Sequence, residues 1–239
     1  MPRKTHLVIL LVLLGVVVAQ AEPKLIVTET EFNYGKVAQQ SELSHGFWLK
    51  SVGDDTVRIL EVFPGCGCTQ IPLPDSTLAP GDSLELEIIL NTERFFGFVT
   101  KKPYIEINRP EDKLVHFHIY AQVLPHPETD SPLVLEPSQL DVSQFSVKPR
   151  RRSTFTITNK TDETFDLALI DVSTPMFTVD LPDKIGPHET VKAQVIVGKD
   201  SIEESFRESF TFEATSSTQR VRHSLAVHRL YRPKDAGGQ

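Results

Sequence analysis

A chain of 239 residues with only two cysteines is too long and too cysteine-poor to be a small scaffold stapled by disulfides. Its formal net charge of −7 at pH 7 supplies no basic excess for phosphate, which argues against nucleic acid or an anionic lipid surface as a partner. The chain opens with Arg3 and Lys4, an apolar run from Leu7 to Val18 and then Ala19-Gln20-Ala21, with small residues where a signal peptidase reads. This predicts a secretory signal peptide over residues 1–21, since the run is shorter than the roughly 20 residues that span a bilayer core. No cysteine follows the run before Cys66, so the residue that bacterial lipid modification needs is missing. Losing Arg3 and Lys4 with the leader lowers the charge of −7 by two, to −9. The expectation is an exported, soluble protein, periplasmic or extracellular, with no transmembrane span after cleavage.

Strand patterns dominate the rest of the chain, with Pro, Gly and Asp punctuation every ten residues or so and no convincing helix. In 84–90, Leu84, Leu86, Ile88 and Leu90 alternate with Glu85, Glu87 and Ile89, the period of a half-buried strand. In 115–123, Val115, Phe117, Ile119, Ala121 and Val123 share one face of a predicted strand, and His116, His118, Tyr120 and Gln122 the other.

The second half repeats the plan of the first. Phe47-Trp48-Leu49-Lys50-Ser51 and the strand through Val57 and Ile59 match Phe155-Thr156-Ile157-Thr158-Asn159 and the strand through Phe165 and Leu167. Leu78-Ala79-Pro80-Gly81-Asp82 matches Ile185-Gly186-Pro187-His188-Glu189 at nearly the same offset. A repeat of domain length is a tandem duplication. The expected organisation is a sandwich over 22–124, a proline-rich linker over 125–132, a second sandwich without cysteines over 133–232 and a polar tail over 233–239. With about seven short strands per half and no helix to cover a parallel sheet, the fold class is all-β: two tandem immunoglobulin-like sandwiches. A jelly roll or barrel across both halves is the alternative, and the duplicated loop signals argue against it.

Phe32-Asn33-Tyr34-Gly35-Lys36-Val37, the Val52-Gly53-Asp54 turn, Cys66-Gly67-Cys68-Thr69, Leu78-Ala79-Pro80-Gly81-Asp82 and Gly97 together resemble the signature of a bacterial family, domain of unknown function 1573. That family is similar to the immunoglobulin-like domains grouped with major sperm protein and with ASPM, SPD-2 and hydin. The resemblance covers about 25–124, and the Cys-Gly-Cys-Thr string is its most specific part. It implies an exported envelope protein and no particular activity. The second half has Ser173-Thr174-Pro175-Met176-Phe177 in place of the cysteine loop, so whatever the cysteines do, the first domain does alone.

Cys66, Gly67, Cys68 and Thr69 are the binding or redox candidates, and three readings of them stay open. Two small buried residues fill a tight loop while Gly67 supplies an unusual backbone angle. Alternatively the pair closes a labile disulfide across one residue. The third reading is a soft-metal site, for Cu(I), drawing further ligands from His116 and His118 at i and i+2 or from a second molecule. The ordinary reading of those histidines is a solvated polar face; His45, His126, His188, His223 and His228 show no ligand spacing. Lys148 to Arg152 form one basic cluster, read as a charged turn. Asn159-Lys160-Thr161 fits a glycosylation acceptor that matters only in a eukaryotic secretory pathway. No phosphate loop, Gly-x-Ser-x-Gly elbow or zinc-hydrolase helix is present. The leading expectation is therefore a non-enzymatic binding or scaffolding protein of the envelope or extracellular space, without a cofactor, engaging a protein or envelope component through strand edges or end loops. A thiol-redox or Cu(I)-handling protein using Cys66 and Cys68 is the alternative.

Overall fold

The computed structural model describes residues 21–125 and 131–232. The expected signal peptide apart from Ala21, residues 126–130 of the linker and the polar tail lie outside the described residues.

The first half contributes β1 (Leu25–Val27), β2 (Glu31–Ala38), β3 (Glu42–Ser51), β4 (Val57–Phe63), β5 (Thr69–Gln70), β6 (Thr77–Leu78), β7 (Ser83–Asn91), β8 (Gly97–Lys101), β9 (Tyr104–Ile107), β10 (Leu114–His116) and β11 (His118–Leu124). The second contributes β12 (Leu133–Glu136), β13 (Gln139–Asp141), β14 (Arg152–Asn159), β15 (Phe165–Val172), β16 (Phe177–Asp180), β17 (Lys184–Ile185), β18 (Thr190–Val197), β19 (Phe206–Thr215) and β20 (Arg220–Arg229). The described residues contain no helix, and the fold is the all-β pair of immunoglobulin-like sandwiches.

The duplication is visible in the pairing. One layer of the first sandwich runs β1-β3-β7-β5, and one layer of the second runs β12-β14-β18-β16. In each half an early strand lies parallel to the last one, β2 on β11 and β13 on β20. Phe47 and Phe155, Val57 and Phe165, and Ile88 and Val195 occupy matching buried positions. Each half thereby encloses a core of its own, one built on Tyr34, Phe47, Leu86 and Phe117, the other on Phe155, Phe165, Phe210 and Phe212. Fully burying one such side chain contributes about 1.5–3 kcal/mol, so alternation along β3, β7, β14 and β18 is enough to fix which face points inward.

The strand expected over 115–123 is corrected. The chain changes sheets at Phe117: β10 pairs with β9 in the sheet β10-β9-β4-β6, whereas β11 pairs with β2 and β8. Phe117 is buried at the crossing with its ring 4.8 Å from that of Phe47, and its backbone N–H donates to Pro103 O.

The two halves also share a sheet. The order β17-β15-β19-β20-β2-β11-β8 runs from the second sandwich into the first through a parallel contact between Lys36 and His223. Gly35 permits that approach. Its φ is +68°, and a Cβ there would stand 2.1 Å from the backbone oxygen of Arg222. Around it, Arg222 Nη1 donates to Asn33 O at 3.1 Å and Ser224 Oγ to Tyr34 O at 2.7 Å.

Candidate functional site

The Cys66-Gly67-Cys68 segment leaves β4 and enters β5 as a tight turn closed by Thr69 N–H donating to Cys66 O at 3.2 Å. Thr69 is buried as the first residue of β5, opposite Leu90 of β7, and Asn91 N–H holds Cys68 O at 2.8 Å. These anchors fix the two cysteines over the end of the sandwich, where they are joined as a disulfide with Cα atoms 5.2 Å apart. Both are half-buried and Gly67 is exposed. The reading as two free buried thiols is therefore corrected. Neither sulfur is a free thiolate, the form a soft-metal site requires. The positive φ of the loop belongs to Gly65, at +82°, and not to Gly67. Thr69 Oγ1 lies 3.5 Å from Cys66 Sγ and 3.9 Å from Cys68 Sγ.

The disulfide borders a cleft of about 620 Å³ shared with Asn91, Glu93, Arg94, Phe95 and Lys101. The Lys101 ammonium stands 4.2 Å above the Phe95 ring, which holds this cation at the cleft wall.

His116 and His118 are separated by the change of sheet. His116 is exposed with its ring 5.5 Å from Tyr104, and His118 Nδ1 lies 3.2 Å from Glu31 Oε1. Among the described residues no group of three or more His, Cys, Asp or Glu side chains is placed to hold a metal ion. Of the basic cluster, Lys148, Arg150 and Arg152 are exposed, while Arg151 donates to Val197 O from both Nε and Nη2, at 3.1 and 2.9 Å. Asn159 is buried and its amide donates to Glu163 O and Gly186 O at 2.6 and 2.8 Å, so the folded chain offers no free acceptor amide in Asn159-Lys160-Thr161.

Two features were not singled out from the sequence. The first is an aromatic pair beside the cleft. Phe95 packs inward against the core, but Phe96 is 76% exposed and Phe98, on β8, is 87% exposed. β8 ends the long shared sheet. The run Phe95-Phe96-Gly97-Phe98, three aromatics in four residues around a glycine, was the available signal.

The second is a polar seam between the sandwiches. His45, 4% exposed, lies between Asp171 of β15, 3.0 Å from Nδ1, and Glu29, 2.9 Å from Nε2, and its ring stacks on Phe32. The hydroxyls of Ser44 and Ser173 donate to Glu208 Oε2 at 3.0 and 2.9 Å. Beside them a cleft of about 360 Å³ is lined by Glu85, Glu87 and Glu208. Burial, then the charges of Glu208 and Glu85, push the Glu87 carboxyl up to about 7; burial also raises that of Glu208, against the two serine hydrogen bonds.

Among the described residues no helix is long and apolar enough to cross a membrane. No curated protein matches the chain. Among solved structures, a protein of unknown function from Porphyromonas gingivalis aligns over 85% of this chain and 99% of that one, at 12% identity and a TM-score of 0.37. The ASH/PapD-like domain 7 of human CEP192 aligns over 52% of this chain and 97% of that one, at 10% identity and a TM-score of 0.36. The VesB protease of Vibrio cholerae aligns over 42% of this chain at 10% identity and a TM-score of 0.35, and the match spans only 32% of that protease. Residues 25–123, the whole first sandwich with its cysteine loop, match the model of the family described as Protein of unknown function (DUF1573).

Proposed function

We propose that the protein is an exported binding and scaffolding protein of the cell envelope or extracellular space, and that it takes an extended segment of a partner protein onto the open edge of β8. The observation that carries this is the exposure of Phe98 on β8 and of Phe96 just before the strand begins. Sheet edges invite pairing with other chains, and proteins blunt them by keeping edge strands short, charged or covered. The other strands at the sheet ends obey that rule: β1, β5, β6, β10 and β17 have two or three residues, β12 and β16 four. β8 has five, its one charge, Lys101, is drawn over the Phe95 ring, and Phe98 is left exposed upon it. Strand addition draws affinity from main-chain hydrogen bonds and specificity from side chains such as these two aromatics.

The test replaces both aromatics, Phe96→Ser with Phe98→Ser, and compares what co-purifies with each form from the native compartment. Both side chains are exposed, so stability should change by no more than about 0.5 kcal/mol. The reading predicts that a specific partner held by the native chain is lost from the double variant. Identical partners on both forms would refute it.

A further inference from the structure

We propose that the Cys66–Cys68 disulfide is a thiol–disulfide exchange site for dithiol substrates, in which the Thr69 hydroxyl receives the departing thiolate. The bond is a poor structural staple. It spans a single residue, and the stabilisation a cross-link gives by restricting the unfolded chain is least for the shortest loops. The turn it closes is already tied by Thr69 N–H to Cys66 O and by Asn91 N–H to Cys68 O, so the bond connects nothing that the backbone leaves apart. It is also reachable, since both sulfurs belong to half-buried residues at the mouth of an open cleft.

The surroundings suit exchange. Exchange proceeds by attack of a thiolate on one sulfur, and the rate depends on how readily the other sulfur leaves as a thiolate. Arg94 and Lys101 line the cleft and favour an approaching thiolate, with Glu93 opposing them. Thr69 is anchored in β5, and among the described residues the partners of its hydroxyl are the two sulfurs. Cys66 Sγ is the nearer, at 3.5 Å against 3.9 Å, so attack at Cys68 expels the sulfur that the hydroxyl can hold.

In the first step a substrate thiolate attacks Cys68 Sγ, the Sγ–Sγ bond breaks, and Cys66 leaves as a thiolate hydrogen-bonded by Thr69. The second thiolate of the substrate then attacks the substrate sulfur of the mixed disulfide and releases Cys68. The substrate dithiol is oxidised by two electrons to a disulfide, the protein disulfide is reduced to two thiols, and the two substrate protons pass to Cys66 and Cys68. Re-forming the protein disulfide takes a low-molecular-weight disulfide as oxidant.

The experiment treats the oxidised mature chain with dithiothreitol near neutral pH without denaturant and traps thiols with a maleimide. Masses are read over time, with circular dichroism to confirm that the fold persists. The expected result is two labelled thiols in folded protein, a rate about tenfold slower for Thr69→Val, as for loss of a hydrogen bond to a charged group, and a near-native rate for Thr69→Ser. If Thr69→Val does not fold, Thr69→Ala replaces it with the same expectation. A disulfide that resists reduction until the chain unfolds overturns the proposal, and so does a hydroxyl-free variant that reduces at the native rate.

Discussion

His45 in the first sandwich and Asp171 in the second share a hydrogen bond of 3.0 Å from Nδ1 to Oδ2, across a seam that buries the imidazole almost completely. The same ring stacks on Phe32 at a centroid distance of 3.6 Å and meets Glu29 through Nε2. His45→Ala removes both polar contacts and the stack, and is expected to lower global stability by about 2–3 kcal/mol. A double-mutant cycle with Asp171→Ala in urea titrations should return a coupling of at least about 0.5 kcal/mol. Strict additivity would mean that the sandwiches do not depend on this pair.

Gly35 gives a second handle on the seam. Gly35→Ala places a Cβ against the backbone of Arg222 and a side chain in left-handed backbone, and should cost at least about 2 kcal/mol. Gly67→Ala is the contrast: a Cβ there meets nothing within 4 Å, and the expected change is within about 0.5 kcal/mol. Thermal unfolding of the two variants side by side decides the point.

The alternation of 84–90 and the turn residues were legible in the sequence because they lie within one strand or hairpin, and the repeat because its offset can be read by laying one half of the chain on the other, with no contact needed. The change of sheet at Phe117 was not, since alternation of buried and exposed residues runs unbroken through Val115, Phe117 and Ile119 while the hydrogen-bonding partners change. The shared sheet was hidden for a related reason. Gly35 stands in the sequence only as one residue of the Phe32–Val37 string, and its role shows once Arg222 is brought against it. Arg229 also gave no signal; it is 1% exposed, and its guanidinium donates to the carbonyls of Val142, Arg150 and Ile202 and to the Gln144 side chain, a set assembled only by the tertiary fold. At the cysteine loop, spacing kept three chemistries open, and the anchoring of Cys68 O by Asn91, from a different strand, is what sets the turn.

Stability should respond to pH from two sides. Burial and neighbouring carboxylates raise Glu87 to about 7 in the folded chain, so the native state holds a proton that the unfolded state releases above its usual carboxylate range. Stability from this group is full below about pH 4.5 and is lost as pH rises through about 7. His223 has the opposite sense. Burial, then the charge of Lys36, lower it to about 3, so the unfolded state takes up a proton first and stability falls as pH drops below about 6.5. Between about 4.5 and 6.5 the two slopes oppose each other. Glu87→Gln should abolish its share of the decline toward about pH 8, and His223→Gln should flatten the acid side, each read from urea midpoints across pH. An unchanged profile in either variant contradicts the assignment to that residue.

Whether β8 is a binding edge is tested most directly by a photo-activated cross-linking residue in place of Phe98, with the same residue in place of Leu169 as a control on an exposed part of β15. Adducts formed in the native compartment are mapped to the residue by mass spectrometry. The account predicts one dominant adduct from position 98 to a short contiguous segment of a single partner protein, and none of that partner from position 169. Equal capture at both positions, or no adduct at 98 while the cross-linker at 169 reacts, would contradict it.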